Sequence, residues 1–119
     1  MQESGEMYLK TILILLERKG NVKAIDVATE LNYSKASVSR GIKVLKEKKY
    51  VYTDEKNNLL FTPQGLKYAK KIKERHVYLT KFLMDTLNAD YNHAYNDACR
   101  IEHVISDEVF DLIKKRYKD

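Results

Sequence analysis

The chain has no second cysteine, no apolar run approaching the roughly 18 residues that mark a membrane span, and no glycine-rich phosphate loop. Each absence closes off a class of function. A single thiol, Cys99, makes no intrachain disulfide, which points to a reducing, cytoplasmic setting. Charges interrupt every apolar stretch, so no membrane partner is expected. The residues before Met7 are polar and acidic and lack the charged start, apolar core and small-residue cleavage site of a secretory signal. With four glycines and one proline, the chain shows no nucleophile motif and no paired acid–base set, so it is not expected to be an enzyme. Internal repeats, low-complexity tracts and flexible linkers are also lacking.

The 119 residues fit one compact domain, or one domain with a helical extension, and a hydrophobic content of 44% is ordinary for a globular protein. The net charge is +5, and its distribution says more than its size. Between Ser34 and Lys49 stand Lys35, Arg40, Lys43, Lys46, Lys48 and Lys49, opposed only by Glu47. Such a stripe is either a solvated helix face or the electrostatic footprint of a phosphate backbone.

The surrounding pattern favours nucleic acid. A first helix starting near Ser4 aligns Leu9, Ile12, Leu13 and Leu16, with Gly20 as its stop. A short second helix spans about Lys23 to Leu31, with Ala24, Ile25, Ala28 and Leu31 facing inward. After Asn32-Tyr33, Ser34 suits the N-cap of a third helix whose inner stripe is Val38, Gly41, Ile42 and Leu45. Two helices so joined, the second small and polar at its start and basic afterwards, form a helix-turn-helix pattern. Residues 50–53 and 59–61 read as strands around a polar tip, Asp54 to Asn58, which adds a wing.

Thr62-Pro63 opens a long helix with the stripe Leu66, Ala69, Ile72, His76, Leu79, Leu83 and Leu87. A helix of that length cannot bury its whole stripe in so small a domain, so a second copy of the chain is expected to cover part of it. Asn88-Ala89-Asp90 ends it. A helix over about Tyr91–Ile105 would bury Ala94, Ala98, Ile101 and Ile105, and Ser106 would cap a last helix, acidic at its start and basic at its end. The fold expected is mainly α: an N-terminal winged helix-turn-helix domain (1–62), then an α-helical metal-binding and dimerisation domain (63–119).

The chemistry concentrates in Cys99-Arg100-Ile101-Glu102-His103. A thiol, a carboxylate and an imidazole at i, i+3 and i+4 share one helix face. Thiolate and imidazole favour borderline-soft divalent ions, and a cation offers buried carboxylate and imidazole the partner they need.

With these elements in place the chain resembles the diphtheria toxin repressor family of metal-dependent transcriptional regulators. The residues carrying the resemblance are Glu6 to Ile12, the winged helix, and Asn96 to Val109, so it covers nearly the whole chain. The resemblance implies that a metal corepressor binds Met7, Cys99, Glu102 and His103, the set of the iron-sensing branch. In the manganese-sensing branch an aspartate stands at Met7, a glutamate at Lys10 and a glutamate at Cys99. Mn²⁺ favours oxygen ligands, so Fe²⁺ is the first expectation, with Co²⁺, Ni²⁺ and Zn²⁺ binding in vitro. His76 matches the histidine of the family's ancillary site, whose other ligands are replaced by Thr80 and Tyr95; His93 would substitute only with a different local backbone. The sequence ends at Asp119, before the small β-barrel domain of iron-type members.

The expected function is a homodimeric, metal-activated repressor on double-stranded operator DNA, contacting it through Ser34, Lys35, Ala36, Ser37, Ser39, Arg40 and Lys43. Small residues allow close groove approach, and Arg40 has the fork for a guanine edge. Alternatives are a winged-helix regulator responding to manganese, or to a small organic ligand or oxidant through Cys99, and an interaction module whose winged helix docks on protein.

Overall fold

A computed structural model describes residues 3–117. The elements are α1 (Glu3–Lys19), α2 (Ala24–Leu31), α3 (Lys35–Glu47), β1 (Val51–Thr53), β2 (Leu59–Phe61), α4 (Pro63–Leu87), α5 (Tyr91–Ile101) and α6 (Asp107–Lys115). The chain divides between Lys70 and Lys71 into two compact units, so the first two turns of α4 pack with the N-terminal one. Among the described residues no helix is long and apolar enough to cross a membrane.

In the N-terminal unit α1, α2 and α3 contact one another around buried Leu9, Ile12, Leu13, Leu15, Val22, Val27, Ala28, Val38, Ile42 and Leu45. Each large aliphatic side chain so buried contributes about 1.5–3 kcal/mol. Gly20, at φ +87°, closes α1 in the left-handed region with its amide on the Leu16 carbonyl (2.9 Å). Asn32, at φ +57°, ends α2 the same way. Ser34 then caps α3, its hydroxyl accepting from the Ser37 amide at 3.1 Å.

Two sequence expectations shift here. Ile25 is 44% exposed while Val27 is fully buried. The two lie about 200° apart around the helix, so the face turned to the core is Val27, Ala28 and half-buried Leu31. In α1, Leu15 is buried and Leu16 half-buried. Residues 8–13 are buried around the full circumference of the helix, where a single stripe was expected.

The strands pair antiparallel with Val51 opposite Phe61, Tyr52 opposite Leu60 and Thr53 opposite Leu59. At the tip Asp54 accepts from the amides of Lys56 and Asn58, both at 2.9 Å, and from Asn58 Nδ2 at 3.1 Å. The Asn58 amide and side chain hold its carboxyl below the usual range. The Leu59 amide also donates to the Val22 carbonyl (2.7 Å), anchoring the wing on the α1–α2 connection. Thr62 caps α4: its Oγ1 accepts from the Gly65 amide at 3.0 Å and donates to the Lys49 carbonyl at 2.7 Å, while Pro63 takes the first helical position.

The C-terminal unit comprises the rest of α4 with α5 and α6, around Ile72, His76, Leu79, Ala94, Ala98 and Phe110. Leu87, expected on the inner stripe, is 65% exposed because α4 ends there. The helix expected to run to Ile105 stops at Ile101. Beyond it the backbone tightens, with the His103 amide on the Arg100 carbonyl (3.3 Å) and the Val104 amide on the Ile101 carbonyl (3.0 Å). Ser106 then starts α6, accepting from the Val109 amide at 3.2 Å.

Candidate metal centre and recognition helix

The second half of α4 and the end of α5 bring three donor types together. His76 comes from α4, Cys99 from the last turn of α5, and Glu102 from its C-cap. His76 Nδ1 stands 3.6 Å from Cys99 Sγ and 3.7 Å from Glu102 Oε2. One ligand atom from each of the three lies within 4.8 Å of the others. Zinc-like bonds of about 2.0–2.3 Å in a tetrahedral shell separate neighbouring donors by roughly 3.4–3.6 Å, so the spacings from His76 to the other two donors suit one shared ion. The other carboxylate oxygen, Oε1, faces His103 Nε2 at 3.5 Å.

Burial sharpens the point. Glu102 is 1% exposed, and the imidazole of His103 is wholly enclosed. An ionised carboxylate taken out of water is costly unless a positive partner compensates it. A divalent ion bound at this point supplies such a charge directly. The donor chemistry of sulfur, nitrogen and oxygen therefore fits a borderline transition metal.

His76, expected at a separate ancillary site, lies in the same cluster as Cys99 and Glu102. The remaining ancillary positions are engaged otherwise: Thr80 donates to the His76 carbonyl at 2.8 Å, and the Tyr95 ring packs edge-on to the His76 ring at 4.5 Å. His93 is exposed and bonded to Asp90 at 2.6 Å, which raises its pKa. Met7 is half-buried on α1 in the N-terminal unit, and Lys10 on the same helix is buried. Sequence reasoning passed over Arg75, which donates to the carbonyls of Glu102 and Ile105. Its only signal was its place beside His76.

On α3 the expected DNA-contacting residues share the open side. Ser34, Lys35, Ala36, Ser39, Arg40 and Lys43 are exposed, and Ser37 is half-buried. Arg40 Nη2 donates to Ser37 Oγ at 3.3 Å, and Ser34 Oγ to the same oxygen at 2.9 Å. Behind them the helix rests on α1: a β-carbon at Gly41 would lie 2.0 Å from Tyr8 Cε2, so only glycine admits that ring. Burial in turn pushes the Tyr8 pKa up. A groove of about 500 Å³ runs between α2, α3 and the wing, lined by Lys23, Ser39, Ile42, Lys43, Lys46 and Asn57 among others, with no acidic residue in its lining.

Two family models cover the chain. One, for the N-terminal DNA-binding domain of iron-dependent repressors, matches residues 1–59. The other, for their metal-binding and dimerisation domain, matches residues 62–119. The transcriptional regulator MntR of Listeria welshimeri is 34% identical over 110 residues, 92% of this chain and 77% of its own. An uncharacterised helix-turn-helix regulator of Methanocaldococcus jannaschii is 32% identical over 123 residues, 100% of this chain and 98% of its own. Among solved structures the manganese regulator SloR matches with a TM-score of 0.86 at 28% identity, over 98% of this chain and 54% of that one. The T. acidophilum IdeR matches at 0.82 and 25% identity, over 94% and 53%. The chain thus spans about half the length of these solved structures.

Proposed function

Because this chain belongs to the iron-dependent repressor family, we propose that it is a homodimeric transcriptional repressor whose binding to operator DNA is activated by a divalent metal, with Fe²⁺ preferred. The observation that carries the reading is the convergence of His76, Cys99 and Glu102 around one point in the C-terminal unit. When bound there, a divalent ion brings positive charge beside the buried carboxylate and ties α4 to the end of α5. Glu102 offers it an oxygen, Cys99 a thiolate and His76 a ring nitrogen, with His103 against the second carboxylate oxygen. Met7 stays in the ligand set on the strength of the family resemblance.

The N-terminal unit carries the DNA contacts. The Ser34 cap leaves the small residues Ala36 and Ser37 at the start of α3, so its backbone approaches base edges closely, while Lys35, Arg40 and Lys43 meet phosphates and a guanine edge. In a dimer two such helices enter successive major grooves about 34–36 Å apart. Metal loading raises the population of dimers with that spacing, and apparent affinity follows the population. Exposed Val77, Tyr91, Val104, Val109 and Leu112 in the C-terminal unit supply apolar surface for the second copy.

Manganese is the second reading, favoured because SloR is described as a manganese regulator. The thiolate of Cys99 favours Fe²⁺ over Mn²⁺. Anaerobic titration of duplex operator DNA tests the role: affinity rises with Fe²⁺ and falls with chelator. Equal affinity in both refutes activation by metal, and a stronger response to Mn²⁺ than to Fe²⁺ assigns the manganese reading.

A further inference from the structure

We propose that Arg75 is a positioning residue for this metal centre, aiming Glu102 and His103 by gripping the Glu102 and Ile105 carbonyls of the turn that carries them. The inference rests on the metal reading above.

Arg75 and His76 are neighbours on α4, about 100° apart around its axis, so one turns to the donor cluster and the other to the turn after α5. Arg75 Nη1 donates to the Glu102 carbonyl at 3.4 Å and to the Ile105 carbonyl at 2.9 Å. Its Nη2 donates to the Asp107 carboxylate at the head of α6. A single nitrogen thus brackets residues 102–105, where α5 has ended and a tightened turn carries two donor side chains. The guanidinium also lies 5.4 Å from the Phe110 ring centroid, and the side chain is only 11% exposed. It is therefore a held group, not a mobile surface charge.

A purely structural tie between α4 and α6 does not call for this arginine. Lys71 reaches the same Asp107 carboxylate at 3.4 Å, and Lys114 joins Glu74 at 2.8 Å. Arg75 meanwhile buries its Nε–H with no acceptor among the described residues, a cost an exposed lysine pair avoids. Its distinctive contribution is the two carbonyls. A planar fork makes those bonds and the Asp107 bond at once; an ammonium on a flexible stem does not hold the same directions.

Residues that orient metal ligands typically change metal affinity about 10–100-fold when removed. The experiment uses the full chain and Co²⁺ as the probe. It reads the thiolate-to-cobalt absorption and ligand-field bands, affinity by chelator competition, and the melting temperature of the metal-free protein. Arg75→Gln and Arg75→Lys are expected to weaken Co²⁺ binding about tenfold or more and to shift the ligand-field bands. Lys71→Gln, which removes the other contact to Asp107 and none of the Arg75 bonds, is expected to leave both near native. Native affinity and native bands in both Arg75 variants overturn the inference. So does a lowered melting temperature with unchanged bands, the mark of a structural role alone. If Arg75→Gln fails to fold, Arg75→Lys, which keeps charge and stem, decides. A native protein that shows no thiolate-to-cobalt band refutes the metal centre itself, an outcome distinct from failure at Arg75.

Discussion

Lys43→Ala offers a quantitative probe of the DNA face. Lys43 is exposed on α3 and lines the groove that also holds Lys23 and Lys46 and contains no acidic side chain. If it meets a phosphate, its removal lowers the slope of log affinity against log salt by about 0.9 per contact. A dimer carries the residue twice, so the slope should become shallower by about 1.8. Between 50 and 200 mM salt, a fourfold range, that corresponds to a difference of about twelvefold: the variant should lose roughly twelve times less affinity than the native chain. Fluorescence anisotropy on labelled operator duplex, in saturating metal across that range, reads the slope directly. Lys43→Arg should keep the native slope, since the charge stays. Lys19→Ala should also keep it, because that ammonium is engaged by Asp26 at 2.8 Å. An unaltered slope in Lys43→Ala would mean that this face of α3 is merely solvated.

Gly41→Ala pits two effects against each other. The helix gains about 1 kcal/mol of propensity, but the new methyl would stand 2.0 Å from the Tyr8 ring, and overpacking costs about 1–3 kcal/mol or more. Net destabilisation is expected by chemical denaturation, and a stabilised variant would contradict the close α1–α3 crossing. At the start of α5 the carboxylate of Asp90 holds the His93 pKa above its ordinary 6.5. NMR titration should show it falling back in Asp90→Ala. The His93 contribution to stability is full below its unfolded pKa and fades as pH rises through the folded one. The Asp90 contribution, from a lowered pKa, is full above its unfolded value and fades as pH falls through the folded one. A His93 titration unmoved by Asp90→Ala would exclude the pair.

Local chemistry made most of the fold legible. Ser34, Thr62 and Ser106 read as caps from their side chains alone, and all three cap helices. Val38, Ile42 and Leu45 keep strict helical spacing and are buried together. Short α2 misled at one position because eight residues allow more than one apolar stripe: Ala28 was placed inward and is buried, but Ile25 competed with Val27, and packing chose Val27. The end of α5 was hidden because no glycine or proline marks it; the tightened turn and the grip of Arg75 on two carbonyls end it instead. Spacing put Cys99 and Glu102 on one face correctly. It could not bring in His76, which lies 23 residues before Cys99 and joins only through packing of α4 on α5. Nor could it foresee that Thr80 and Tyr95 serve the backbone and ring of His76.

The mixed donor shell is tested most directly by X-ray absorption at the metal edge of the Fe²⁺-loaded full chain. One short sulfur at about 2.3 Å, with nitrogen and oxygen filling the rest of the shell, is expected, and Cys99→Ser should erase the sulfur. A shell of oxygen and nitrogen alone, identical in native chain and Cys99→Ser, would contradict a centre built on Cys99, Glu102 and His76.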